Sequence, residues 1–307
     1  MRYDDFRRSD DIDDRRDDGG GGGGGGFGLP MGGGGGLGIG TIIVLGIIGY
    51  ALGIDPGVLI GGAEVLRGGG PGNQQPYEQR RSTREVPKDK TGDFVAAVVG
   101  NTEDTWKEIF AQSGRAYKPP RVRLFSGVEQ GGCGTAQAAM GPFYCPNDQR
   151  IYMDTSFFRD IEQRFRGCSG KACDFSRAYV IAHEVGHHVQ NLTGILPRAQ
   201  RAQQAAGGRA AANQIQVRVE LQADCYAGVW ARNAVATGYI VDLTQQDVNQ
   251  GLDAAAAVGD DRIQQATQGQ VNPETWTHGS SAERQRWFAR GYQRGEPSGC
   301  DTFSGSL

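Results

Sequence analysis

Residues 178–192 read Ala178-Tyr179-Val180-Ile181-Ala182-His183-Glu184-Val185-Gly186-His187-His188-Val189-Gln190-Asn191-Leu192. Ile181, Val185, Val189 and Leu192 recur at steps of four, four and three, the spacing of one helix face. On such a helix His183 and His187 lie one turn apart and project from the same side, with Ile181 roughly opposite. One side can pack while the other offers two imidazoles to a metal. Neutral imidazoles at i and i+4 suit Zn²⁺, and Glu184 is placed to take a proton from a metal-bound water. The chain has four histidines in all, and His183 and His187 are two of them.

A catalytic zinc needs a third protein ligand and an open position. Working outward, Val217-Arg218-Val219-Glu220-Leu221-Gln222-Ala223-Asp224 lies on a second amphipathic helix, with Ile215, Val219, Tyr226 and Trp230 on one stripe. Glu220 and Asp224 share a face one turn apart. Their neighbours Val219, Leu221, Ala223 and Tyr226 read as buried, where an unpaired carboxylate is costly. Glu220 is therefore the expected third ligand. Asp224 is expected to accept the free N–H of a ligating histidine and fix its tautomer. His188 points well away from His183 and reads as a surface or supporting histidine.

The remaining composition bounds the setting. A chain of 307 residues suffices for one large or two small domains. The net charge of −3 gives no reason to expect a nucleic-acid partner. Of the 50 glycines, many fall in the runs Gly19 to Gly26 and Gly32 to Gly36, which are linker rather than fold. The first eighteen residues mix aspartates with Arg2, Arg7, Arg8, Arg15 and Arg16 and read as a solvated tail. Leu37 to Ile54 carries no charge, and as a helix it would reach about 27 Å, close to the hydrocarbon thickness of a bilayer. The arginines before it, against Arg67 alone between it and Arg80, predict a cytoplasmic N-terminus and a single pass. The layout is then a charged and Gly-rich cytoplasmic tail over 1–36, a transmembrane helix over 37–54, a stalk over 55–92, and a folded domain over 93–307.

Within that domain the pattern predicts a helix over 93–114, with Thr102-Glu103 as a break or cap. It predicts a strand over Arg121 to Phe125, and a hairpin of 137–144 with 150–153 around Pro146-Asn147-Asp148. A short helix follows over 157–166, then the histidine helix over 176–192, ended by Gly194. Next come a connector over 199–212 and a helix over 209–236. Further helices are expected over 244–258, 260–268 and 280–292. Six cysteines beyond an apolar anchor suit an oxidising compartment. They leave many pairings open, of which Cys133–Cys145, Cys168–Cys173 and Cys225–Cys300 is the simplest set. Free buried thiols, at Cys225 first, are the alternative; a second zinc site has no C-x-x-C pair behind it.

The spacing H-E-x-x-H followed by E-x-x-x-D resembles the gluzincin class of zinc peptidases. Three longer strings are similar to a bacterial family of neutral zinc metallopeptidases: Gly141-Pro142-Phe143-Tyr144-Cys145-Pro146, the stretch 178–191, and Glu220 to Gly228. So are Arg7-Arg8-Ser9-Asp10 and Asp14-Arg15-Arg16 near the start. The resemblance implies an α+β fold: a mainly helical zincin-like domain with a small antiparallel sheet, preceded by one transmembrane helix. It implies a zinc metallopeptidase of the cytoplasmic membrane with its catalytic domain outside, acting on peptide or protein. Zn²⁺ would be held by His183, His187 and Glu220, with Asp224 behind them and Glu184 as general base. It also implies an edge strand that receives substrate, with Ala136 to Phe143 the candidate. Thermolysin-like enzymes use a downstream histidine to donate to the oxyanion, a role the resemblance gives to His278, and Thr277-His278 precedes a helix as in prenyl-processing zinc peptidases. Gly279 departs from the proline found there, and the plainer reading of Thr277 or Ser280 is a helix cap. Two other functions compete: a non-catalytic zinc-binding envelope protein, in which Glu184 would have no use, and a zinc amidase acting on cell-wall peptides.

Overall fold

The structure, a computed structural model, describes residues 6–16, 87, 89–137, 141–158, 171–240, 249, 277–305 and 307. Two strands anchor its sheet. Arg121–Phe125 (β2) and Arg150–Asp154 (β6) each bury four consecutive residues, the pattern of strands covered on both faces. They pair in parallel, Val122 with Ile151 and Leu124 with Met153. Phe143–Cys145 (β5) runs antiparallel to β6 and forms one edge. Ile12–Asp14 (β1) runs parallel to β2 and forms the other. A separate hairpin joins Val128–Gly131 (β3) to Gly134–Gln137 (β4), and Cys133 at its turn is disulfide-bonded to Cys145.

The helices carry the apolar periodicity read from the sequence. Lys90–Gln112 (α1) starts at Asp89, whose carboxylate accepts from the N–H groups of Thr91 and Gly92. Lys171–Leu192 (α2) bears the histidines, and Gly194 beyond it is left-handed. Ile195–Gln204 (α3) and Arg209–Ala236 (α4) follow, the latter with the predicted bounds. Ser281–Arg294 (α5) begins with a capping box between Ser280 and Glu283. A 3-10 turn, Pro297–Gly299, leads to Cys300, which is disulfide-bonded to Cys225 of α4. Trp106, Phe110, Tyr226 and Trp230 fill the core between α1 and α4, and Trp230 Nε1 donates to Asn101 Oδ1 at 2.7 Å. Helices α4 and α5 touch backbone to backbone. A Cβ on Gly291 would lie 1.9 Å from the Cys225 carbonyl oxygen.

Several expectations change here. The main sheet is mixed rather than antiparallel: β2 pairs in parallel with both β6 and the N-terminal strand β1, and only β5 runs antiparallel. Residues 6–16 are not a solvated tail: Ser9 and Ile12 are buried, and Arg7, Arg8 and Arg16 pair with Glu103, Asp104, Asp93 and Asp89. The same contacts remove the break expected at Thr102-Glu103. Helix α1 runs straight through, and Glu103 is polar because it receives Ser9 and Arg7. Residues 136–143 are not one strand: β4 ends at Gln137, and the strand edging the sheet is β5. Cys225 is not a free thiol. Cys173 is also disulfide-bonded, whereas Cys168 lies outside the described residues. Also outside them are most of the helix expected at 157–166, nearly all of 244–268, and the apolar stretch 37–54. Among the described residues no helix is long and apolar enough to cross a membrane.

Candidate metal centre

The site begins at Gly186. A Cβ there would stand 3.0 Å from the Ala223 carbonyl oxygen, so a glycine inside the histidine motif lets α4 lie close against α2. That approach brings Glu220 under both imidazoles. Glu220 Oε2 lies 3.2 Å from His183 Nε2 and 3.4 Å from His187 Nε2, and the two rings stand nearly perpendicular, 4.8 Å apart. One ligand atom from each of His183, His187 and Glu220 falls within 4.8 Å of the others. His183 and Glu220 are buried and His187 is half-buried. Gln216 donates to the other Glu220 oxygen at 2.7 Å.

Each imidazole is oriented from behind. His183 Nδ1 lies 2.8 Å from Asp224 Oδ1, as the spacing predicts. The Asp224 carboxylate is fully buried and is gripped on both oxygens by Arg284, Nε to Oδ2 at 2.8 Å and Nη2 to Oδ1 at 3.0 Å. Tyr179 donates its hydroxyl to the same carboxylate. His187 Nδ1 lies 2.9 Å from Gln190 Oε1. The Gln190 amide nitrogen donates to Val219 O at 2.8 Å and to Gln222 Oε1 at 3.0 Å, so its oxygen is the end facing the ring. His187 therefore donates through Nδ1, and Nε2 presents its lone pair beside Glu220. Gln222 in turn donates to Cys300 O at 2.8 Å. Arg284, Tyr179, Gln190 and Gln222 were not anticipated from sequence.

The electrostatics call for a cation. Burial opposes the charge on Glu220, yet His187 and His183 hold its pKa well below the usual carboxylate range. Burial likewise opposes protonation of His183, but Asp224 and Glu220 outweigh it and push the pKa up to about 10. Two imidazoles and a carboxylate converging on one buried point, with Asp224 already neutralised by Arg284, form a donor set that fits Zn²⁺.

Glu184 is buried on the same helix, and burial raises its carboxyl pKa. The backbone of Tyr144 on edge strand β5 lies near enough to favour the charged carboxylate. His188 is a buried strut rather than a surface group. Its Nε2 lies 2.7 Å from Lys118 O and its Nδ1 lies 3.0 Å from Tyr144 Oη, fastening β5 to α2. Burial holds its pKa down to about 4. His278 is exposed at the N-terminal side of α5, near enough to Glu220 to help keep that carboxylate ionised. Its Nδ1 lies 3.0 Å from Thr277 Oγ1. Gly279 has φ +86°, a conformation closed to proline, so the chain enters α5 by a different turn from the one the Thr-His-Pro pattern implies.

Two histidines one turn apart, a glutamate from a second helix and a buried glutamate between the histidines define the site of a gluzincin-type zinc protein. The chain belongs to the family described as putative neutral zinc metallopeptidase, whose model matches residues 1–303. It is 42% identical over 311 residues to the uncharacterized protein YpfJ of Escherichia coli K12, covering 100% of each chain. It is 45% identical over 271 residues to the uncharacterized proteins Mb2605 of Mycobacterium bovis and Rv2575 of Mycobacterium tuberculosis, covering 82% of this chain and 84% of theirs. No solved structure matches it. The cofactor that goes with this family is Zn²⁺, and the cluster of His183, His187 and Glu220 fits it.

Proposed function

We propose that the protein is a zinc-dependent peptidase in which Glu184 is the general base. The observation that carries this reading is the placement of Glu184: buried on α2 between His183 and His187, and close enough to both for the imidazoles to act on its charge. A scaffold that only bound zinc would have no use for a buried carboxylate there. Bound between His183, His187 and Glu220, Zn²⁺ supplies Lewis acidity to the peptide carbonyl and to a water. Glu184 takes a proton from the attacking water and returns it to the leaving amine nitrogen. Among the described residues strand β5 is the edge of the sheet beside α2, to which an extended peptide can add as a further strand. In this reading His278, near enough to Glu220 to help keep it ionised, donates to the carbonyl oxygen as that oxygen gains charge. The two described disulfides favour an oxidising compartment.

Incubating the zinc-loaded full-length chain with a mixed peptide library and sequencing the products tests this. We expect cleavage within extended peptides that stops when zinc is chelated and resumes when it is restored. Turnover of cell-wall amides without cleavage of any library peptide would overturn the peptidase reading.

A further inference from the structure

Residues 6–16 are built into the same body as the metal centre. Strand β1 lies in register with β2, Ile12 against Val122 and Asp14 against Leu124. Val122 N donates to Asp11 O at 2.9 Å, Arg15 N to Leu124 O at 2.8 Å, and Ser9 N to Ala96 O at 2.9 Å. Ser9 is fully buried and its hydroxyl donates to Glu103. Helix α1 is shaped for the arm: a Cβ on Gly100 would lie 2.6 Å from the Arg7 carbonyl oxygen. Arg7 reaches Glu103 at 2.6 Å and Asp104 at 2.9 Å, Arg8 reaches Asp93 at 2.6 Å, and Arg123 reaches back to Asp13 at 2.7 Å. Arg16 pairs with Asp89, and by chain contacts 1–19 and 83–307 form one compact unit.

We infer that the N-terminal arm and the metal-binding body lie on the same side of any membrane the protein meets. Strands joined by hydrogen bonds of about 3 Å cannot be separated by a hydrocarbon layer roughly 30 Å thick. The conclusion survives an exchange of arms between two copies inserted in the same orientation, because a swapped arm still sits on the body it completes. It also bears on the arginine excess. The positive-inside rule weighs basic residues within about 15–20 residues of a membrane segment, and Arg16 and the arginines before it lie farther than that from Leu37. Here Arg7, Arg8 and Arg16 are consumed by acidic groups of α1 and its cap, so they mark a docking surface rather than a cytoplasmic end.

Two single-cysteine variants of the full-length chain test this, with the unsubstituted chain as the blank. D10C reports the arm and A111C reports the body, and both positions are exposed. Each is expressed in bacteria, converted to spheroplasts and treated with a membrane-impermeant maleimide before or after lysis. We expect one pattern for both variants: both labelled in intact spheroplasts, or both labelled only after lysis. Labelling of one in intact spheroplasts and of the other only after lysis would overturn the inference.

Discussion

His183 and His187 are oriented by different kinds of partner. A buried carboxylate, clamped by Arg284, faces His183; a neutral amide faces His187. The amide has no charge to hold the ring, so its effect depends on geometry fixed by Val219 O and Gln222. Replacing Gln190 by Leu removes the acceptor and frees the ring to turn or change tautomer. We expect zinc affinity, measured by competition with a chelator, to fall roughly 10–100-fold. Unchanged affinity would mean that the amide does not orient the ligand. His278 makes a different forecast. H278A should keep its zinc and lower kcat by about 10²–10³-fold with little change in KM, as for loss of one oxyanion donor. Wild-type turnover would make it incidental. The ligands and Asp224 are legible in sequence because each pair sits one turn apart on one helix. Arg284 is 60 residues from Asp224 and Gln190 meets groups of another helix, so neither contact is local. A signal for Arg284 did exist: it falls on the stripe of Trp287, Phe288 and Gly291, and an arginine at a core position needs a buried anion.

Among the elements, the arm is the one that composition conceals. It offers one apolar strand side chain, Ile12, among charges that read as solvated. Their partners Asp89, Asp93, Glu103 and Asp104 lie far along the chain. Helices α2 and α4 are legible because a period near 3.6 persists over many turns. Strand β5, three residues long, is too short for alternation to show, which is how 136–143 came to read as the edge. Deleting residues 1–16 would strip β2 of its partner and uncover the pocket of Ile12. That should cost on the order of 3 kcal/mol, or roughly 6–12 °C of melting temperature for a body of this size. Thermal unfolding followed by circular dichroism reads the difference. A deletion variant melting with the full chain would show that the arm adds nothing to the fold.

At the scale of the whole molecule, α2, α4 and α5 are fastened at three levels that serve one centre. Gly186 sets the distance between α2 and α4, the α4–α5 contact delivers Arg284 to Asp224, and the Cys225–Cys300 bridge holds the carbonyl that ends the Gln190–Gln222 chain. The result is a rigid, buried donor set beside an open sheet edge, with one carboxylate, Glu184, that is not spent on holding metal or structure. The catalytic account rests on that residue, and replacing it by its neutral isostere tests it most directly. The E184Q chain should carry the same zinc content as the wild type by elemental analysis and melt at a similar temperature, while cleavage of any peptide the wild type cuts falls to near background. Zinc content and folding intact with turnover also intact would contradict the account, because the proton would then be moving through some other group.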